Sequence, residues 1–525
     1  MASATEQLNG LAAATPVIIG AGQVSERCDA RGYRALSAVG LASAAASVAL
    51  SDAGLTDVAD SVDTVAAVRQ FEVSTPFAVA PLGCSDNFPR SVSDRSGLQP
   101  QRAVLDVSGG QSPQKLVNEF AAEIASGRSR TVLIVGAEAI STVRQLADHP
   151  DAADFTEHRG GQLEDRGYGL EGVVSSDALR HGLTEIAGHY ALFEHARRAS
   201  LGLSRHAYAC EMGRLFAPFT AVAAGNPHAA APVVRTAEEL TTVSPRNRVI
   251  ADPYPRYVVA RDQVNQAAAV LLTSVGHART LGVDPRRLVF LHGHCDAVDK
   301  PALLRPDLGR SEAAVEAVRG GLDLAGLTLD EITLFDFYSC FPIALFNVCD
   351  GLGLDPLDPR GLTVTGGLPF FGGPGNNYSL HAIVEMVGLL RERGMDAHGL
   401  VGANGGVMSK YSVGVYGTFP RPWQAPRSAP VQARLDERPS VDTVAGAHGP
   451  ATIETFTIID PTRRPRAAVV ARSASGARFY ARVDPEDSDT MALLCDGEPI
   501  GQSVRVTSTD GLNTVRINGD RPPAP

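Results

Sequence analysis

The sequence predicts an α/β protein of two similar halves, with an inserted segment between them and a small all-β unit at its C-terminal end. Three observations carry this expectation. Residues 103–135 read as strand, glycine turn, buried helix and strand. A similar order recurs at 372–402. Beyond residue 451, short alternating runs of strand length replace helical periodicity.

The elements follow in order. Residues 16–20 (PVIIG) read as a buried parallel strand, 33–53 as an alanine-rich helix ended by Gly54, and 62–68 as a second strand, a βαβ rhythm. Residues 103–107 form a strand, Ser108, Gly109 and Gly110 a tight turn, and 113–126 a helix with proline near its start. Leu116, Phe120 and Ile124 recur at i, i+4 and i+8 with Val117 and Ala121 beside them, so this helix is expected to be deeply buried. Gly127 ends it, and 131–135 (TVLIV) returns as a central strand. In the second half, Gly372, Gly373, Pro374 and Gly375 lead into a helix over 378–391, Gly394 stops it, and 400–402 begins another strand. Two glycine loops feeding two buried helices leave both helix N-termini free to face one site. Residues 141–255, richer in charge and proline and with helices at 186–199 and 204–216, read as an insertion. After Pro420 prolines punctuate a linker, and runs at 453–459, 467–472, 478–483, 490–495 and 503–507 supply five strands, enough for an OB-like barrel. The expected units are 1–140 completed by 256–275, then 141–255, 276–424 and 440–525.

At 525 residues the chain exceeds one compact core and allows roughly three or four domains. Its 44% hydrophobic and 20% charged residues exclude wholesale disorder. The net charge of -11 argues against general attraction to nucleic acid or to an anionic membrane. Seven scattered cysteines without a CxxC pair fit a reducing cytosol, so a cytoplasmic location is expected. Residues 1–15 lack a basic targeting region, and no run reaches the roughly 18 apolar residues of a membrane span.

Four blocks in order carry a resemblance. Residues 87–141, running from NFPRSVSDRSGLQP to LDVSGGQSPQKLVNEFAAEIASGRSRTVLIVGAEAIS, are similar to the N-terminal half of a thiolase. Residues 265–274 (NQAAAVLLTS) resemble the strand on which that family's chain returns from its loop domain. Residues 335–341 (FDFYSCF) resemble the His-Asp-Cys-Phe block of sterol-carrier-protein-type thiolases, and 366–375 (GGLPFFGGPG) the Gly-His-Pro loop. The chain is thus identified as a member of the thiolase superfamily, similar to acetyl-CoA acetyltransferase. More narrowly, it is similar to thiolase-like proteins of type 1 with an additional C-terminal domain. The resemblance spans most of residues 16–420. It implies the layered αβαβα thiolase fold with an inserted loop domain, coenzyme A or acyl-CoA as ligand with no tightly bound cofactor, a role in lipid metabolism, and a homodimer through the central sheet region.

A thiolase needs a nucleophilic cysteine at a helix N-terminus, where the dipole and backbone N–H groups stabilise thiolate and oxyanion. The matching position is Gly110, and the histidine position of the Gly-His-Pro loop is Gly373. Tyr338 stands where the family has its oxyanion-hole Asn or His, and Ser339 where it has the neighbouring acid. Ala403, Asn404 and Gly405 replace the usual Cys-x-Gly, whereas Cys340 keeps the alternative position of the acid/base cysteine. Loss of the nucleophile removes covalent catalysis, and loss of an oxyanion donor costs about 2.7–4 kcal/mol of transition-state stabilisation. The resemblance therefore implies an acyltransferase relative impaired as a thiolase. Cys340 reads equally as a small buried hydrophobe or a reactive thiol.

Other residues are weighed beside these. Ser108 and Ser112 flank the empty position without a nearby histidine and are expected to cap the helix. Gly20, Ala21 and Gly22 fit a tight turn better than a dinucleotide fingerprint, since Ser25 stands where the third glycine belongs. His292 and His294 point one way from a strand and Cys295 the other, so no metal site is expected there. His381 reads as structural, and Asn376, Asn377 and Asn404 as pantetheine or thioester contacts or as turn residues. Arg463, Arg464, Arg466, Arg472, Arg478 and Arg482 occur without an acidic residue among them, with Arg478, Tyr480 and Arg482 on one strand face, read as solvated or as a surface for single-stranded nucleic acid or coenzyme A phosphates. Three functions stay open: a thioester binder that assists a partner enzyme, a working enzyme using Cys340 as acid/base, and a nucleic-acid-binding module on an inert scaffold.

Overall fold

The computed structural model describes residues 8, 10–54, 58–149, 152–171, 173–463, 465–484 and 486–517; Arg464 lies outside them. The first half carries β1 (Pro16–Ser25), α1 (Ala38–Asp52), β2 (Thr64–Ala67), β3 (Arg102–Leu105), α2 (Ser112–Ala125) and β4 (Thr131–Ala139). An excursion follows with β5 (Glu164–Asp165), α3 (Ile186–Ser200), α4 (Arg205–Gly225), β6 (Val249–Ala251) and β7 (Tyr254–Pro255) before the chain returns on β8 (Asn265–Ser274). The second half carries β9 (Val289–Val298), α5 (Glu312–Ala325), β10 (Leu334–Phe337), α6 (Pro342–Leu352), α7 (Tyr378–Arg393), β11 (His398–Gly405) and β12 (Lys410–Gly417).

The duplication is visible in the pairing. In the first half β2 runs parallel to β4, which is followed by antiparallel β8 and β1; in the second, β10 runs parallel to β11, followed by antiparallel β12 and β9. The two sheets join where Val17 and Ile18 of β1 face Phe290 and Val289 of β9. β1 is antiparallel to both its neighbours, not the parallel strand expected from its apolar run. Helices α2 and α7 lie between the sheets in one core, with Leu116, Phe120, Leu380 and Ile383 packed among Ile134, Val270 and Val401. Helix α1 covers the outer face of the first sheet and α5 that of the second, which gives the αβαβα layering.

Helix α1 starts at Ala38 rather than residue 33 because Ser37 caps it, its hydroxyl accepting from the Gly40 N–H. Its alanines have a partner on β1. A Cβ at Gly20 would run into the Ala49 carbonyl, and one at Gly22 into the Ala49 nitrogen, so these glycines let helix and strand approach closely. That contact accounts for Gly20, Ala21 and Gly22 without a dinucleotide.

The C-terminal unit is a closed five-stranded barrel of β13 (Gly449–Ile459), β14 (Arg466–Ser473), β15 (Arg478–Val483), β16 (Ser503–Thr509) and β17 (Leu512–Arg516), with α8 (Ser488–Asp496) between β15 and β16. Its order β14-β15-β17-β16-β13, closed by β13 on β14 and with β15 parallel to β17, is OB-like. Two expectations are corrected. The run 490–495 is helical because Asp487 accepts from both the backbone and the hydroxyl of Thr490, and the fifth strand is β17 instead. The expected basic face is absent at Arg478, which is buried and donates to Glu454 Oε2 at 2.6 Å and to the carbonyls of Leu303 and Arg305 at 2.8 and 2.6 Å. Arg472 shares Glu454, Arg466 pairs with Glu185, Tyr480 is buried, and Arg482 is exposed. The barrel also abuts the excursion, where Ile459 of β13 pairs with Ala251 of β6.

The residues 292–295 have separate roles. His292 Nε2 lies 2.8 Å from the Phe419 carbonyl, His294 stacks on Trp423, and Cys295 is buried on the other face of the strand against α5.

Candidate active-site cavity

Both glycine loops meet at one place. The Gly109 N–H donates to Asn376 Oδ1 at 2.9 Å, and Asn376 Nδ2 donates in turn to the Arg69 carbonyl and Ser74 Oγ at 2.7 and 3.2 Å. Ser379, in the first turn of α7, donates to the Gly110 carbonyl at 2.6 Å. The start of α7 thus pins the turn that begins α2. Neither Ser108 nor Ser112 caps that helix: Ser108 donates to the Ser74 carbonyl, and Ser112 to the buried carboxylate of Asp106 at 2.7 Å.

Above the turn lies a cavity of about 370 Å³. Gly110, Gly373, Tyr338, Cys340, Asn376 and Asn404 all line it, so the fold brings these positions together. Ser339 is held away from it, its buried hydroxyl accepting from the Leu368 N–H at 3.2 Å. Asn377 donates to the Gly136 carbonyl and fastens α7 to β4. His381, fully buried and kept neutral by desolvation, sits 2.8 Å from Gln23 Oε1, a structural place.

The two positions that the resemblance marks as catalytic, Gly110 and Gly373, differ in the room around them. A Cβ on Gly110 would stand 2.5 Å from the Tyr338 hydroxyl and 2.6 Å from the Asn404 carbonyl oxygen, closer than real Cβ atoms come. The tyrosine ring therefore fills the space a nucleophilic side chain would need. A Cβ on Gly373 would meet its neighbours at 3.4 Å, at ordinary contact distance. Burial first, and Cys340 second, raise the Tyr338 hydroxyl far above its usual pKa, so it faces the cavity as a neutral donor.

Cys340 sits in a short polar chain. Asn404 Nδ2 donates to the Tyr190 hydroxyl at 2.8 Å and lies 3.9 Å from Cys340 Sγ, while Tyr190 donates to the Gly406 carbonyl at 3.2 Å. Burial pushes the Cys340 thiol up to about 12, against weaker lowering by Tyr190 and the Phe341 backbone. The thiol is protonated at neutral pH and is no thiolate. Phe341 stacks on Tyr190 with ring centroids 4.5 Å apart.

Residues of the excursion complete the walls and were not singled out from the sequence. Leu170, Val173, Ile186, Ala187 and Tyr190 make one side apolar. Behind them Glu194 is buried, accepting from Tyr208, from Tyr254 at 2.6 Å and from the Ile343 N–H at 2.8 Å, and desolvation raises it to about 7. Tyr190 and Glu194 lie at i and i+4 of α3, a polar pair on one helix face that the sequence does display. Among the described residues the lining holds no histidine; it offers hydrogen-bond donors and an apolar wall.

Comparison with known proteins bears on the family and the fold. Residues 430–511 match the thiolase-like protein type 1 additional C-terminal domain. A monomeric SCP2-thiolase like protein type 1 from Mycobacterium smegmatis is 43% identical over 97% of this chain and 100% of that one, with a TM-score of 0.83. Human mitochondrial 3-ketoacyl-CoA thiolase is 18% identical over 77% of this chain and 99% of its own, with a TM-score of 0.55; its complex with CoA, covering 78% and 99%, gives 0.54 at the same identity. These human structures share the fold. No curated protein matches the sequence. The chain belongs to the SCP2-thiolase-like protein type 1 family.

Proposed function

We propose that this protein binds an acyl-CoA thioester in the cavity and does not turn it over as a thiolase, serving lipid metabolism by holding the thioester or assisting a partner enzyme. The observation that carries the reading is the Gly110 position, where Tyr338 and the Asn404 carbonyl leave no room for a nucleophile. The CoA complex of the human thiolase supports coenzyme A as the ligand class. Calorimetric titration with coenzyme A, acetyl-CoA and a longer acyl-CoA, beside a thiolysis assay, tests it. Binding without thiolysis is expected, and no binding to any thioester overturns it.

Cys340 as acid/base is the second reading, favoured by its place in the cavity beside Asn404. A thiol pushed up to about 12 is a poor base at neutral pH, which weighs against it. Acyl-CoA turnover abolished in Cys340→Ala would establish it. The nucleic-acid reading loses its support in the burial of Arg478. Among the described residues no helix is long and apolar enough to cross a membrane; the cytoplasmic location we propose rests on the scattered free cysteines, which fit a reducing compartment. Against the homodimer stands the 43% identical protein from Mycobacterium smegmatis, which is monomeric. On that likeness we take the chain to act as a monomer.

A further inference from the structure

We infer that a second cavity, between the core and the C-terminal barrel, takes the tail of a long acyl group whose thioester sits in the first cavity. This rests on the thioester reading above and names its substrate class. The second cavity measures about 580 Å³; Val173, Leu303, Leu304, Val407 and Val444 give it an apolar part, and Asp177, Arg180, His189 and Tyr480 a polar one. The core and the barrel therefore each supply part of the wall. Val173 lines both cavities.

The two linings adjoin along the chain. Tyr190 and Gly406 face the first cavity, while their chain neighbours His189 and Val407 face the second. The Tyr190 hydroxyl closes on the Gly406 carbonyl at 3.2 Å, and a Val173 methyl lies 3.5 Å from where a Gly406 Cβ would stand. This hydrogen bond and the partly buried Val173 side chain thus lie between the two spaces, the first with an apolar side and the second mixed in its lining. The apolar side of the first cavity, through Leu170 and Ile186, leads to that valine. A chain that begins at the polar residues Tyr338 and Asn404 and outgrows the first cavity would reach the second past Val173, the residue that both share. Beyond it, valine and leucine side chains offer the burial that methylenes gain from. Cavities of this size are ordinary for small-ligand sites. On this reading the barrel's role is to complete an acyl pocket.

The test is calorimetric titration of the full-length protein with butyryl-CoA, octanoyl-CoA and lauroyl-CoA. Each methylene buried is worth about 0.8 kcal/mol, roughly a fourfold gain in affinity, so lauroyl-CoA is expected to bind at least about 10-fold tighter than octanoyl-CoA. Ala445→Trp changes an exposed residue just ahead of the barrel's first strand that lines the second cavity and not the first. It is expected to erase the lauroyl gain and leave butyryl-CoA binding unchanged, which also shows that the variant is folded. Val173→Trp at the partition should erase the same gain. Equal octanoyl and lauroyl affinities in the unmodified protein, or a gain that survives Ala445→Trp, overturns this inference and leaves the thioester reading intact. Failure of every thioester to bind overturns that reading and this inference with it.

Discussion

Restoring the missing nucleophile tests the geometry of the cavity directly. In Gly110→Cys the new Cβ would stand 2.5 Å from the Tyr338 hydroxyl, 2.6 Å from its Cε2 and 2.6 Å from the Asn404 carbonyl oxygen. Two of those atoms belong to a side chain and one to the backbone of β11. The tyrosine has limited room to retreat, because its ring stands edge-on to Tyr378 at 5.4 Å. Overpacking of this kind costs about 1–3 kcal/mol. In a Tyr338→Ala background the ring contacts vanish and the carbonyl contact remains, so the cost of Gly110→Cys should fall without reaching zero. The expected coupling between the two changes is about 1 kcal/mol or more. Urea unfolding of the parent, both single variants and the double variant measures it. Equal cost of Gly110→Cys in both backgrounds, or no cost in the parent, would falsify the claim that Tyr338 occupies the nucleophile's space.

Three further predictions come from the buried ionisable groups. Arg478→Ala leaves the carbonyls of Leu303 and Arg305 without their donor and Glu454 with Arg472 alone, and breaking such a buried pair costs about 3–5 kcal/mol; an unfolding midpoint close to the parent's would show the arginine to be a surface group. Alkylation followed by mass spectrometry at pH 7.5 should label exposed Cys84 and Cys495 well before Cys340, whose thiol burial pushes up to about 12, and early labelling of Cys340 would revive its catalytic reading. Glu138 is raised to about 8 by desolvation, with the Phe71 N–H opposing and Glu72 adding, so between about pH 4.5 and 8 the folded state holds a proton the unfolded state has lost. Its contribution to stability therefore falls as pH rises through that window. Glu138→Gln should gain on the parent in thermal midpoint from pH 5 to pH 8.5, and a constant difference between the two would count against the assignment.

How far the sequence carried this picture depended on whether the determining contacts were local. The buried helix over 113–126 follows from apolar spacing alone, and α2 (Ser112–Ala125) is that helix. The positions Gly110, Tyr338, Cys340, Gly373 and Asn404 converge because the order of glycine turns and strands fixes where each chain segment meets the sheet ends. What Tyr338 does there was not legible, since its clash partner lies 228 positions away by the numbering. Arg478 misled for the same reason: its alternation was read correctly, but Glu454 and the carbonyls at 303–305 come from distant segments. Two misses had local signals. Asp487 three residues before Thr490 is a helix cap, and Asp510 with Gly511, both at positive φ, is a hairpin turn that announces β17.

The exchange at the nucleophile position also explains why the cavity persists. An empty Gly110 with a small residue at 338 would leave a polar void with nothing to offer a ligand. Instead a tyrosine hydroxyl stands there, kept protonated by burial and aligned with a cavity wall that already holds Asn404 and Tyr190. A neutral donor can hold a thioester carbonyl but cannot attack it. Meanwhile Gly373 remains open to a side chain, so the missing histidine reflects no lack of room. On the proposed reading, the site keeps a hydrogen-bond donor at the point where a thiolase carries its nucleophile, the pattern expected of a pocket that binds.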